Sequence, residues 1–153
     1  MKKVIVVTGA SSGMGREFAL QISQKEKVDE IWVIARTKER LEDLQKSTAA
    51  KIVPIPMDLT DREKVRECYV SRLEEEKPEV KILANCAGFG IFDHTENIDT
   101  DILTNMIDLN VTALVALTVS RTMRSRALPG FSAGSVSVVS VDTATAFTAR
   151  SAR

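Results

Sequence analysis

The most informative stretch of the sequence is Thr8-Gly9-Ala10-Ser11-Ser12-Gly13-Met14-Gly15. It follows the β-branched run of residues 4–7, which is typical of a buried strand, and it precedes a helical spacing of apolar residues. Glycine reaches positive φ and carries no Cβ, so the backbone can turn sharply and approach a pyrophosphate at the helix N-terminus behind it. No Gly-Lys-Ser/Thr follows, which excludes a P-loop. The alternative to a nucleotide-binding role is a purely structural one, a tight turn with close helix packing. We expect a dinucleotide site whose contacts come from Gly9, Ser11, Ser12, Gly13, Met14 and Gly15.

Strand and helix patterns alternate on the C-terminal side of this turn. Met14, Phe18 and Ile22 recur every four residues and predict one apolar helix face. Further strands are predicted at residues 31–35, 52–55, 80–84 and 135–141, with two prolines placing the third at a sheet edge. Helices are predicted after Thr37, from a capping box at residues 60–63, and from about Thr100. This order predicts an α/β fold, a doubly wound parallel sheet of about five strands with helices on both faces.

Composition bounds the function classes. The 153 residues predict a single domain, and 44% apolar with 27% charged residues excludes a disordered chain. Lys plus Arg equals Asp plus Glu at 21 each, which argues against a nucleic-acid or anionic-membrane partner. No apolar run approaches the ~20 residues that a membrane helix needs. Two cysteines, Cys68 and Cys86, fit neither a disulfide framework nor a four-ligand metal site, so we expect no metal and a cytoplasmic location.

The segment 119–153 differs in composition from the rest of the chain. It holds five arginines, no lysine and one acid, whereas residues 1–118 hold ten lysines and twenty acids. Two interpretations stay open. The segment is either an Arg-rich helix end followed by a strand and a loose terminus, or a truncated or frame-shifted continuation of a longer gene.

Four motifs, in order, resemble those of the short-chain dehydrogenase/reductase family. Residues 8–15 match its T-G-x-x-x-G-x-G pattern, and Asp58-Leu59 resembles its adenine-contacting Asp. Residues 85–88, Asn-Cys-Ala-Gly, resemble its N-N-A-G motif with Cys in second place, and Asn110 resembles its catalytic-site Asn. The resemblance implies a Rossmann-type sheet that binds NAD(H) or NADP(H), hydride transfer to or from a small carbonyl or alcohol substrate, and a homo-oligomeric full-length protein. The further cofactor-binding residues that it implies are Asp58, Leu59, Asn85, Ala87 and Gly88.

The end of the second strand favours NADP over NAD. An acid at this place hydrogen-bonds the ribose 2′-hydroxyl of NAD, whereas an arginine accommodates the NADP phosphate. Here Arg36 follows the strand, about 20 residues beyond the glycine turn, and no acid adjoins it. Its guanidinium suits a bidentate contact to phosphate, and the alternative is a solvated residue at a helix start.

The catalytic motif of the family is incomplete in this sequence. Family members resembling it use a Ser with a Tyr and a Lys in Y-x-x-x-K; Ser140 is the best counterpart of the Ser. No Tyr follows Ser140, no Lys follows Lys81, and the sole tyrosine, Tyr69, lacks a lysine four places on. Three hypotheses remain: a catalytically incomplete part of an NADP(H)-dependent oxidoreductase, a non-catalytic NADP-binding sensor or scaffold, and an enzyme with another proton donor.

Overall fold

One parallel sheet organises the molecule. The structure, a computed structural model, describes residues 1–127 and 137–140. Its strands lie side by side in the order β3-β2-β1-β4-β5, and every neighbouring pair is parallel. The strands are β1 Lys3–Thr8, β2 Glu30–Ala35, β3 Ile52–Pro56, β4 Glu79–Asn85 and β5 Ser137–Ser140. The predicted α/β fold is confirmed as a Rossmann-type sheet, with β3 at the edge that its prolines indicated.

Helices connect successive strands. Helices α1, Gly13–Lys25, and α2, Lys38–Lys46, follow β1 and β2. Helix α3 covers residues 62–76 and contains a π-helical turn at Val65–Val70, and α4 covers residues 100–127 with another at Asp108–Ala113. A short 3₁₀ turn, Thr95–Asn97, lies between β4 and α4. π-helical turns inside α-helices are often found at functional sites, which draws attention to the turn that contains Asn110.

Two apolar cores cover the two faces of the sheet. Alternate residues of β1 point to opposite faces, so Ile5 and Val7 pack with α1 and α2 while Val4 and Val6 pack with α3 and α4. All four side chains are fully buried, as continuous apolar runs in a parallel sheet require. Helices on both faces of one parallel sheet form the doubly wound arrangement that the alternating patterns predict.

The packing face of α1 differs from the predicted one. Gly15 and Ala19 are the buried residues of this helix, whereas Met14 is 39% exposed. Phe18 and Ile22 lie only partly buried against the core. Gly15 must be small because a Cβ at this position would meet the backbone of Gly9 and Thr8.

The apolar stripe of α4 is mostly uncovered. Leu117 is buried as predicted, but Ile107 is 57% exposed, and Val111, Val115 and Val119 continue an exposed line along the helix. By length and composition alone, Thr100–Ser120 is also apolar enough to cross a membrane, which corrects the expectation that no such segment exists. A single helix of this kind is weak evidence of a membrane span.

The segment 119–153 is only partly described. Residues 119–127 continue α4, and Ser137–Ser140 form β5 within the predicted strand at 135–141. Residues 128–136 and 141–153, and with them the choice between the two interpretations of the segment, lie outside the described residues.

A buried carboxylate marks the amino edge of the sheet. Glu30 begins β2 with a side chain only 6% exposed, and it lies 2.8 Å from Lys51 Nζ and 3.1 Å from Lys2 Nζ. The Trp32 indole N–H donates to it at 2.9 Å. Burial would raise the pKa of Glu30, but the hydrogen bonds from Lys51, Trp32 and Lys2 outweigh it and lower the pKa from 4.5 to about 2.

Candidate functional site

A cleft of about 550 Å³ opens at the opposite, carboxyl edge of the sheet. It lies next to β1, which has β2 and β3 on one side and β4 and β5 on the other, so the strand order reverses at this point. Ligands of open α/β sheets bind at this reversal of strand order. The cleft is lined by the carboxyl ends of four strands, the loops that follow them, the first turns of α1 and α2, and one part of α4. The lining residues are Gly9, Ser11, Ser12, Gly13, Met14, Gly15, Ala35, Arg36, Thr37, Arg40, Met57, Asp58, Leu59, Thr60, Cys86, Ala87, Gly88, Phe89, Asn105 and Leu109.

The three glycines of the first turn have different roles. Gly9 has φ +66°, and a Cβ there would lie 2.7 Å from the Cys86 carbonyl oxygen. A Cβ on Gly15 would meet the backbone of Gly9. Gly13 has φ +56°, yet nothing lies within 4 Å of the Cβ position. Gly9 and Gly15 are therefore required by packing, whereas Gly13 keeps a volume of the cleft empty.

The N-terminus of α1 faces this empty volume. Its N-cap Ser12 makes no side-chain hydrogen bond to the helix, and the first turn contains no acid. The first N–H groups of a helix have no partner inside it, and they carry partial positive charge. A free helix end beside an open glycine fits the pyrophosphate of a dinucleotide.

The end of β2 adds positive charge to the cleft. Arg36 is exposed, follows the strand directly and lines the cleft together with Thr37 and Arg40. Within residues 1–127 and 137–140, neither guanidinium is part of an ion pair. Arg36 lies at this strand end without an adjoining acid, as the sequence indicated. The sequence did not predict that Arg40 lines the cleft, because an arginine on a helix surface forms no motif.

The loop after β3 holds the acid of the cleft. Asp58 Oδ1 accepts hydrogen bonds from the Thr60 N–H at 2.9 Å and the Thr60 hydroxyl at 2.8 Å. Asp61, not Thr60, is the N-cap of α3, accepting from the Lys64 N–H, so the predicted capping box is wrong. The helix begins one residue later than predicted, and the Thr60 hydroxyl donates to Asp58 instead of capping the helix.

Thr8 joins the two central loops. Its hydroxyl oxygen accepts from the Cys86 N–H and the Ala87 N–H, both at 3.0 Å, and it is 1% exposed. The turn after β1 and the loop after β4 are thereby held as one wall. Burial raises the pKa of the Cys86 thiol, which favours its neutral form.

Asn85 lies beneath the cleft rather than in it. It is 4% exposed, is absent from the cleft lining, and donates to the Thr118 hydroxyl of α4 at 3.4 Å. Its Oδ1 is buried and has no hydrogen-bond partner within the described part of the chain. The structure therefore gives Asn85 a position that joins β4 to α4, while Ala87 and Gly88 do line the cleft.

Asn110 holds the loop that closes one side of the cleft. Its Nδ2 donates to the Phe89 carbonyl at 2.8 Å, and its Oδ1 accepts from the Phe89 N–H at 3.0 Å. The π-helical turn of α4 carries this amide. The family resemblance implies a catalytic role for Asn110, and in the structure its amide hydrogen-bonds both backbone groups of Phe89.

The backbone of Ser140 lies beside this region. It pairs in register with Asn85 at the carboxyl end of the sheet, the same end at which the cleft opens. Tyr69 is fully buried in α3 and packs in the core, away from the cleft lining. Among the described residues, no group of three or more His, Cys, Asp or Glu side chains is arranged to hold a metal ion.

Comparison with known proteins agrees with this geometry. The sequence model of the short chain dehydrogenase family matches residues 3–151. This chain belongs to the short-chain dehydrogenase family. Its relatives are named as dehydrogenases and reductases, and the family binds a nicotinamide dinucleotide.

Individual relatives differ in the cofactor of their names. The chain is 30% identical over 121 residues to an NADP-dependent 3-hydroxy acid dehydrogenase of Schizosaccharomyces pombe, covering 76% of this chain and 46% of that protein. It is 32% identical over 114 residues to an NAD-dependent glycerol dehydrogenase of Listeria innocua, covering 71% and 42%. A short-chain dehydrogenase structure from Streptomyces avermitilis aligns with TM-score 0.74 and 31% identity, covering 92% and 48%. The chain thus spans less than half the length of these relatives.

Proposed function

We propose that these 153 residues form a single cofactor-binding domain of an NADP(H)-dependent, cytoplasmic short-chain dehydrogenase. The reaction is hydride transfer between the cofactor and the carbon of a small carbonyl or alcohol substrate. The observation that carries the cofactor assignment is Arg36, which lines the cleft at the end of β2 where no acid is present. A relative named as NADP-dependent supports it, and a relative named as NAD-dependent is the reason for a direct test.

Each part of the cleft matches one part of the cofactor. The open volume at Gly13 and the free end of α1 suit the pyrophosphate, with Gly9, Ser11, Ser12, Met14 and Gly15 around it. The guanidinium of Arg36 suits the 2′-phosphate. Asp58 and Leu59 line the cleft, and we assign them to the adenine as the family resemblance implies; Ala87 and Gly88 line the wall that Thr8 holds.

When bound, the cofactor supplies or accepts the hydride. The chain's own residues orient the two reactants: the Phe89 loop is held by Asn110, and Ser140 lies at the same sheet edge, from which we propose that its hydroxyl hydrogen-bonds the substrate oxygen. Asn85 supports this arrangement from below through Thr118.

Proton transfer needs a further group. Reduction of a carbonyl leaves a developing alkoxide that requires a proton donor within ~3 Å. No Tyr-x-x-x-Lys occurs in the 153 residues, and the one tyrosine is buried in α3. We propose that the donor lies outside these residues, in a longer protein of which this chain is a catalytically incomplete part. The relatives are named as dehydrogenases and reductases, which favours this account over a non-catalytic sensor or scaffold.

The exposed stripe of α4 supports self-association of the whole protein. Ile107, Val111, Val115 and Val119 are each 42–57% exposed, and contiguous apolar surface of this kind favours a protein partner. We propose a homo-oligomer. Sedimentation velocity of the unmutated protein and of Val111→Lys tests this proposal. We expect the variant to associate more weakly, and a monomeric unmutated protein would contradict the proposal.

The cofactor assignment is tested by equilibrium titration of NADPH and NADH against the parent chain and Arg36→Ala. Loss of a charge-assisted contact should weaken NADPH binding about ten- to a hundredfold and leave NADH binding unchanged. Glu42→Ala, which alters an exposed side chain outside the cleft, is the control. An equal loss for both cofactors in Arg36→Ala would refute the assignment.

A further inference from the structure

Three sulfur-containing side chains line the cleft within the described part of the chain, and they differ in exposure. Met57 is 4% exposed and Cys86 is 8% exposed, whereas Met14 is 39% exposed. Burial raises the pKa of the Cys86 thiol and so favours its less reactive neutral form. A thioether has no proton to lose, so the access of an oxidant controls its oxidation. Met14 is therefore the sulfur of this cleft that a dissolved oxidant reaches.

Met14 also lies beside the volume that we assign to the pyrophosphate. It is the second residue of α1 and follows Gly13, whose Cβ position meets nothing within 4 Å. Side chains of a helix lean toward its N-terminus, so the Met14 side chain lies over the first N–H groups of α1. Ser12 does not cap these N–H groups with its side chain. An oxygen atom added to the Met14 sulfur would lie next to the donors proposed for the cofactor.

We propose that Met14 is an oxidation site, where a peroxide converts the thioether to a sulfoxide and thereby weakens dinucleotide binding. The inference rests on the proposed cofactor site and adds a modification to it. The sulfur lone pair attacks one oxygen of hydrogen peroxide, the S–O bond forms as the O–O bond breaks, and the other oxygen leaves as water. The sulfur loses two electrons and the peroxide gains them. Methionine sulfoxide reductases reverse this change.

The sulfoxide opposes the cofactor in two ways. Its oxygen is a hydrogen-bond acceptor with partial negative charge, so it competes for the free N–H groups of α1 and repels the pyrophosphate. NADPH and NADH share the pyrophosphate, and both should bind more weakly to the oxidised chain. Adenosine 2′-monophosphate has no pyrophosphate, and its binding should not change. This pattern differs from that of Arg36→Ala, which is expected to affect NADPH alone.

The experiment titrates NADPH, NADH and adenosine 2′-monophosphate against the full chain before and after hydrogen peroxide, once the peroxide has been removed. We expect about five- to twentyfold weaker binding of both dinucleotides after oxidation. A thiol reductant reverses the first oxidation products of cysteine, exposed Cys68 included, but it leaves methionine sulfoxide. Affinity should therefore return only after treatment with methionine sulfoxide reductases of both stereospecificities.

Met14→Leu keeps the approximate volume of the side chain and cannot form a sulfoxide. Each variant serves as its own reference, and the ratio of its dissociation constants after and before peroxide should be close to one for Met14→Leu. Met106→Leu is the matched control, because it removes a partly buried methionine outside the cleft lining. It should lose affinity on oxidation as the unmutated chain does. An equal loss in Met14→Leu would refute the proposal.

Protection by the cofactor tests the same site without a substitution. The tryptic peptide of residues 4–16 contains Met14 as its one sulfur atom, so mass spectrometry follows its oxidation directly. Saturating NADP⁺ should slow this oxidation at least about fivefold, since a bound dinucleotide covers the side chain. Met1 is 73% exposed and precedes β1 at the opposite edge of the sheet, so its oxidation rate should stay the same. Equal rates at Met14 with and without bound NADP⁺ would refute the proposal.

The outcomes separate this inference from the proposed function. If the untreated chain binds neither dinucleotide, both are overturned. If it binds NADPH, and complete oxidation of Met14 leaves the affinity unchanged, the oxidation site is overturned and the proposed function stands.

Discussion

Two substitutions of Gly13 distinguish the effect of filling the empty volume of the cleft from the effect of straining the backbone at this residue. Gly13 has φ +56°, a conformation that valine resists and asparagine tolerates. No atom lies within 4 Å of its Cβ position, so a side chain there meets no protein neighbour. Gly13→Val therefore adds both strain and bulk, whereas Gly13→Asn adds bulk with little strain.

The structure sets the size of each effect. Left-handed backbone should reduce the free energy of unfolding of Gly13→Val by about 1–3 kcal/mol, and that of Gly13→Asn by less than about 1 kcal/mol. Both side chains occupy the space proposed for the pyrophosphate, so both should weaken NADPH at least about a hundredfold, or about 2.7 kcal/mol. Gly15→Ala differs, because its Cβ would meet the Gly9 backbone; it should be destabilised by about 1–3 kcal/mol or more.

The assay is urea unfolding followed by circular dichroism, together with NADPH titration of each folded variant. Gly90→Ala is the control, since its Cβ also meets nothing within 4 Å but lies outside the cleft lining. It should leave stability and binding close to those of the parent. A folded Gly13→Asn that binds NADPH with the parent's affinity would show that the turn is structural only, and would refute the reasoning.

Three further predictions concern stability and turnover. Hydrogen bonds lower the pKa of Glu30 to about 2, so its ionised carboxylate stabilises the folded state fully above about pH 4.5, and this stabilisation is lost as the pH falls through 2. Glu30→Gln should therefore lower the free energy of unfolding in urea by about 3 kcal/mol at pH 7 and by nearly nothing at pH 2. Exposed Glu42→Gln should cost less than about 1 kcal/mol at either pH, and a pH-independent loss in Glu30→Gln would contradict the account. Asn110→Leu leaves the Phe89 N–H and carbonyl without their partner, so the free energy of unfolding should fall by about 1–3 kcal/mol; unchanged stability would argue against these hydrogen bonds. The 153-residue chain should not oxidise NADPH above background with aldehydes, ketones or quinones, and turnover that disappears in Ser140→Ala would favour an enzyme with another proton donor.

The fold was largely predictable because the local patterns agree with the tertiary structure. The sheet buries the apolar run before Gly9 and packs against Leu41 and Leu44, and its edge position suits the prolines of β3. Each of these local patterns therefore matches its place in the tertiary structure. The packing face of α1 was not predictable from its apolar residues. The closest contact to the sheet is made by Gly15 and Ala19, whose advantage is small size rather than hydrophobicity.

The site was predictable where residues form a motif and not where they act through contacts. The glycine turn, Arg36 and Asp58 are recognisable by their distance from strand ends, and the structure places all of them around one cleft. Thr8 and Arg40 were missed because the first works through two backbone N–H groups of a distant loop and the second lies on a helix surface. Asn85 belongs to a recognisable motif, yet its side chain is buried against α4, a position that spacing cannot reveal.

The central claim is that the cleft at the carboxyl edge of the sheet binds NADP(H) through the α1 end and Arg36. A crystal structure of the chain grown with NADP⁺ tests it most directly. The account predicts pyrophosphate oxygens within hydrogen-bond distance of the N–H groups that begin α1, the space beside Gly13 filled, and the 2′-phosphate on Arg36. A dinucleotide bound elsewhere, or in this cleft with its 2′-phosphate turned away from Arg36 into solvent, would contradict it.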